Sequence, residues 1–175
     1  IDDLRYHILM KEDKDFDVNV YPTFRPDKLI NIDWNTFLPY IKQFSQVVGY
    51  ELLNMDLVEK ALKERVEFFN SVGCRISDHA LDDLVYEDTS KEIANEVYKK
   101  ALRGETLTQK EVAQYKTHIV VFLGQQYHKY NWAQQYHIKA LRNNNSRMMS
   151  LIGPDTGFDS INDGNIAKQL SKIMN

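Results

Sequence analysis

The 175-residue chain reads as a helix-rich α/β fold built from parallel βα units. Three observations carry this reading. Short runs with period-two alternation stand at residues 16–24, 74–78 and 133–141. Between them stand longer runs with the apolar spacing of amphipathic helices, punctuated by turn formers such as Pro22, Gly73, Gly104 and Gly153. Strands that alternate with helices pair in parallel through right-handed crossovers. About three parallel strands are therefore expected, with a helical hairpin inserted at about 84–130.

Residues 1–15 carry Leu4, Ile8 and Leu9 among charges, a short helix ahead of the first strand. Phe16, Val18 and Val20 then alternate with Asp17, Asn19 and Tyr21, and the run stops at Pro22 and Pro26, leaving Arg25 at the strand's exit. Asp33 is placed to cap a helix whose apolar face is Trp34, Phe37, Leu38, Ile41, Phe44 and Val48. Asp56 with Glu59 resembles a capping box for the next helix, which buries Val58, Ala61, Leu62, Val66 and Phe69 and ends at Gly73. A short strand at 74–78 follows, with Asp78 and His79 at its end.

The hairpin comes next. Thr89 with Glu92 starts its first helix, carrying Ile93, Val97, Ala101 and Leu102; Thr108 with Glu111 starts the second, carrying Val112, Tyr115, Ile119, Phe122 and Tyr127. The short connection at 103–107 makes the two pack antiparallel. In the strand at 133–141, Tyr136, Ile138 and Ala140 alternate with His137, Lys139 and Leu141. Asn145 can cap a helix over 146–152, and Ile166, Leu170 and Ile173 mark a last amphipathic piece. His7, His118 and His128 lie among helical residues without partners at ligand spacing and read as structural or exposed.

With 43% hydrophobic and 27% charged residues, the composition is that of an ordinary globular domain. A net charge of −3 without a basic face gives no case for nucleic acid. The chain has no apolar run of membrane-spanning length and no signal-peptide core, so no membrane partner is expected. A lone cysteine, Cys74, fits a reducing compartment, and the cytoplasm is the expected location.

Residues 134–163, QQYHIKALRNNNSRMMSLIGPDTGFDSIND, crowd His137, Arg142, Arg147, three asparagines and a Gly-Pro-Asp-Thr-Gly turn behind one strand. In α/β proteins the carboxyl end of a strand is where ligands sit. The words HIKALRNNNSRM and GPDTGFDSI resemble the HIGALRNNN-TRM…GPDTGFDSI signature of bacterial uronate (glucuronate) isomerases. YPTFRPDKLINI at 21–32 and GCRISDHALD at 73–82 are similar to two further family words, in the family's order. The chain departs from the pattern at Ala80 and Lys139, where the family usually has glycine.

The resemblance implies a member of the amidohydrolase superfamily and an incomplete (β/α)8, TIM-like barrel segment. It also implies that these residues form the central part of a longer barrel protein. The activity implied is aldose–ketose isomerisation of D-glucuronate with D-fructuronate and of D-galacturonate with D-tagaturonate, in hexuronate catabolism, by an enzyme that could be a homo-oligomer. A divalent metal, with zinc expected, would be held by a His-x-His and an aspartate from strands not present, so no metal ligand is assigned and this chain alone is expected to be inactive and metal-free. Two other readings stay open: a metal-dependent hydrolase of the same superfamily, and a non-catalytic helical interaction domain.

The implied chemistry needs a carboxylate anchor, hydroxyl partners and an acid/base pair. Arg142 and Arg25 suit the anchor, because a planar guanidinium matches a carboxylate with two parallel hydrogen bonds. Asn143 and Asn144 supply both donors and acceptors for sugar hydroxyls. His137, Asp78 and His79 are the candidates for proton transfer.

Overall fold

Two strands, β1 (Ile76–Leu81) and β2 (Ala133–Ile138), lie side by side and parallel, in register from Ile76 opposite Ala133 to Leu81 opposite Ile138. The computed structural model describes residues 1–81 and 83–175; Asp82, the last residue of the third signature word, lies outside the described residues. Helices α1 (Arg5–Glu12), α2 (Asp27–Ile30), α3 (Phe37–Val48) and α4 (Met55–Val72) precede β1. The hairpin α5 (Lys91–Leu102) and α6 (Gln109–Lys129) connects β1 to β2, giving the strand–helix–strand order and parallel pairing that the alternation implies. After β2 come β3 (Ala140–Leu141), α7 (Ser146–Ile152), β4 (Ser160–Ile161) and α8 (Ala167–Met174), with β3 and β4 antiparallel.

The first expected strand is not formed. Of residues 16–24 only Phe24 pairs: its N–H donates to the Ile76 carbonyl (3.2 Å) and its carbonyl accepts from the Asp78 N–H (3.0 Å), a parallel bridge to β1. Phe16, Val18, Val20 and Tyr21 are exposed, and Pro22 has no N–H to give a ladder. Alternation is thus satisfied only where a neighbouring strand exists to pair with.

Helix starts differ from expectation for local reasons. The α3 helix begins at Phe37, not beside Asp33, which instead pairs with Lys116 at 2.7 Å. This start leaves Pro39 in the first turn, where its missing N–H costs nothing; a helix from Trp34 would have buried it inside. At α4 the cap is Asn54, whose side chain accepts from Leu57 N–H, and Glu59 turns inward to His118 (2.9 Å) and Lys91 (3.0 Å). His118 is therefore a partnered histidine tying α6 to α4. Ser90, one residue after Thr89, caps α5, which leaves Ile93 exposed and buries Ala94, Val97, Tyr98 and Ala101. Thr108 and Glu111 form the expected capping box of α6, and Asn145 caps α7.

The core lies between the helices and one face of β1. Ser77, His79 and Leu81 point into it, together with Phe24, Phe69, Tyr127 and Trp132. Phe24 meets Phe69 edge-on at 4.9 Å, and Tyr127 stacks on Trp132 at 5.5 Å. The strand expected to run through 133–141 is divided at Lys139, whose φ of 58° lies in the left-handed region. No described helix is long and apolar enough to cross a membrane.

Candidate functional site

The site begins with Asp27, a residue the sequence did not single out. It opens α2 but does not cap it; its carboxylate faces β1 instead. Asp27 Oδ2 accepts from Arg25 Nε (2.8 Å) and from the Ala80 N–H (3.0 Å), and Oδ1 lies 3.3 Å from His79 Nδ1. Burial alone would push the Asp27 carboxyl up, but the hydrogen bonds from His79, Arg25 and the Ala80 amide together hold it below the usual carboxylate range. A carboxylate only accepts, so His79 Nδ1 carries a proton toward it. The hydrogen bond to Asp27 also pushes Arg25 up.

Arg25 continues the line. Its Nη1 lies 3.2 Å from Asp78 Oδ2, and Asp78 Oδ1 lies 2.7 Å from His137 Nε2. That last pair is an ion-pair contact rather than an aligned hydrogen bond. It crosses the ladder diagonally, since the register partner of His137 is Ala80. Asp78 is the third residue of β1, not a residue beyond its end, and the two-residue period turns it away from His79. His79 is 2% exposed and sits between the rings of Tyr127 (5.7 Å) and Tyr136 (5.6 Å).

Arg142 leaves β3 at its end and pairs with Asp159 at 3.2 Å. The Asn143 N–H donates to the other Asp159 oxygen (2.8 Å), and Asn143 Oδ1 accepts from the Asp155 N–H (3.2 Å). Asn144 directs its amide to the Ser160 hydroxyl. The asparagine run and the GPDTGFDS turn thus brace one another. Beside them opens a groove of about 760 Å3 whose walls include Arg25, Asp27, Lys28, Ala80, Arg142 and Asn143.

The candidate residues therefore fall into three sets. Arg25, Arg142 and Asn143 share the groove. The mostly buried Asp78 and the half-exposed His137 join it through Arg25, on the same face of the sheet. His79 lies on the buried face, connected only through Asp27, and Asn144 turns to Ser160. The signal for Asp27 was its place two residues after Arg25 in the RPDK word, a carboxylate within ion-pair reach of a candidate anchor; Lys28 beside it was likewise missed. Among the described residues no three His, Cys, Asp or Glu side chains are grouped to hold a metal ion, so these residues do not by themselves fit the divalent metal implied by the signature.

A family model for glucuronate isomerase matches residues 1–175. The chain is 57% identical over 175 residues to a uronate isomerase of Caldicellulosiruptor bescii, covering 99% of this chain and 38% of the relative. It is 43% identical to a uronate isomerase of Bacillus subtilis, covering 100% of this chain and 37% of the relative. Among solved structures it resembles the uronate isomerase of Thermotoga maritima, with a TM-score of 0.88 and 32% identity over 98% of this chain and 38% of that one. The glucuronate isomerase of Caulobacter crescentus shares the fold, with a TM-score of 0.84 at 18% identity over 99% of this chain and 36% of that one. The chain spans less than two fifths of the length of these relatives. On the match across its whole length, the chain belongs to the glucuronate isomerase family.

Proposed function

We propose that the complete protein containing this chain interconverts a hexuronate with its keto isomer, D-glucuronate with D-fructuronate and D-galacturonate with D-tagaturonate. The observation that supports this best is the groove, which gathers Arg25, Arg142, Lys28 and Asn143 beside an acid/base pair, His137 with Asp78. An aldose becomes a ketose when a proton leaves C2 and one arrives at C1, while the oxygen proton moves from O2 to O1. Arg142 anchors the substrate carboxylate, Asn143 takes a hydroxyl, and the His137–Asp78 pair carries the proton. Arg25 holds Asp78 in place.

The same reading makes β1, β2 and the Phe24 segment neighbouring strands of a (β/α)8 barrel, with the hairpin at about 84–130 inserted between two of them. Their parallel pairing supports it. A cytoplasmic setting fits the lone Cys74. The test is an assay of the complete protein on D-glucuronate and D-galacturonate beside amide and ester substrates. Keto-acid formation is expected; hydrolysis of amides or esters with no uronate turnover would replace this reading with a hydrolase.

A further inference from the structure

Five side chains form one line through the sheet, His79, Asp27, Arg25, Asp78 and His137, with successive contacts of 3.3, 2.8, 3.2 and 2.7 Å. It runs from the closed core to the half-exposed His137. We propose that Asp27, on the groove wall behind Arg25, and His79, on the buried face, are the positioning residues that set the direction of Arg25 and, through it, the geometry of the Asp78–His137 pair. The inference deepens the uronate reading and rests on it for the identity of the reaction.

Three features of the geometry lead there. Burying a carboxylate is costly unless donors surround it, and Asp27 has three from separate places: a guanidinium, a ring nitrogen and a strand amide. Those donors are not the ones a helix-opening acid usually takes, since α2 has no side-chain cap. Second, the slot between Tyr127 and Tyr136 would accept any flat ring, yet His79 places a ring nitrogen on Asp27. Third, with Nε held by Asp27, the planar Arg25 fork has one free rotation fewer and its Nη1 is aimed at Asp78.

Arg25 stands between two carboxylates, so Asp27 neutralises part of the positive charge that Asp78 and His137 would otherwise face. The other ionisable groups around the line include Asp2, Lys28, Tyr40, Arg142 and Asp155 on the groove wall and Tyr127 and Tyr136 against His79. Removing the Asp27 charge leaves these in place but frees Arg25 Nε, so the guanidinium loses the contact that aims its Nη1 at Asp78.

The experiment compares the complete wild-type protein with Asp27→Asn and His79→Phe. Thermal melts score folding, steady-state kinetics are taken on D-glucuronate, and crystal structures locate Arg25. Expected for Asp27→Asn are a drop in kcat of tenfold or more with KM within about threefold, and Arg25 displaced from Asp78. His79→Phe, which keeps the ring packing, should fold and show a smaller loss in kcat. Folded variants with wild-type kcat and Arg25 unmoved would overturn the inference, as would losses that follow only the unfolded fraction in both variants. A wild-type protein without uronate isomerase activity would sink the substrate reading alone; the Arg25 position in the two variant structures then still decides whether Asp27 and His79 set it.

Discussion

His137 of β2 reaches back across the ladder to Asp78 of β1, two residues short of its register partner Ala80, with 2.7 Å between Nε2 and Oδ1. Neither strand alone makes this pair. It exists because β1 and β2 run parallel and both residues fall on the face turned away from the core. On the proposed reaction, Asp78→Asn and His137→Gln in the complete protein should each lower kcat by about 10²- to 10⁴-fold, the range for loss of a positioned acid or base. The double variant should lose little more than the worse single one, because the two act as a unit. Additive losses would separate them.

Arg142→Lys should impair turnover far more than folding. Lysine keeps the charge but loses the planar fork that would grip a carboxylate with two parallel hydrogen bonds. Each charge-assisted bond contributes about 1.5–3 kcal/mol, so kcat/KM should fall about ten- to a hundredfold per lost bond. The exposed pair with Asp159 contributes only about 0–1 kcal/mol to stability. Kinetics beside thermal melts separate the two effects: near wild-type kcat/KM would remove Arg142 from the substrate site.

Lys139 occupies a position glycine takes without strain. Its φ of 58° costs a residue with a Cβ roughly 1–2 kcal/mol, while its ammonium pairs with Asp83. Lys139→Gly relieves the backbone but loses that pair and gains unfolded-chain freedom, so stability should change by about zero to +1 kcal/mol. Lys139→Ile, branched at Cβ, should cost about 1–2 kcal/mol more than lysine does. Denaturant unfolding of both decides it; an isoleucine variant as stable as wild type would contradict the strain argument.

Glu111 makes the start of α6 sensitive to acid. Its hydrogen bonds from Lys100, the Thr108 amide and the Thr108 hydroxyl lower it from 4.5 to about 2. A folded-state value below the unfolded one contributes stability that is full above about 4.5 and is lost as pH falls toward about 2. Glu111→Gln should therefore melt earlier than wild type at pH 7, with the gap closing across that window. A gap that stays constant from pH 7 to 2 would show that the charge is not what stabilises the cap.

The ends of α6 and α7 were legible in the sequence because capping is local chemistry: Thr108 meets Glu111, and Asn145 meets Met148, within one turn. The α/β alternation and the family words were legible too, since both are carried by residues contiguous in the chain. Where a local signal had rivals, the structure chose. Ser90 displaced Thr89 and Asn54 displaced Asp56, each accepting from an N–H of the first turn, while Pro39 moved the start of α3, which has no side-chain cap, past Asp33.

Partners distant in the chain were decided only by tertiary structure. The alternation of residues 16–24 looked like a strand, but only Phe24 found a neighbour to pair with. His118 looked unpartnered until α4 brought Glu59 to within 2.9 Å. Asp78 and His79 are adjacent in sequence, yet the pleat sends one to His137 and the other to Asp27. Sequence periodicity says which side chains share a face of one element. Which charge a buried group meets across 52 residues depends on how elements pack, and the cost of burying that charge unpaired is what makes the meeting of His79 and Asp27 specific.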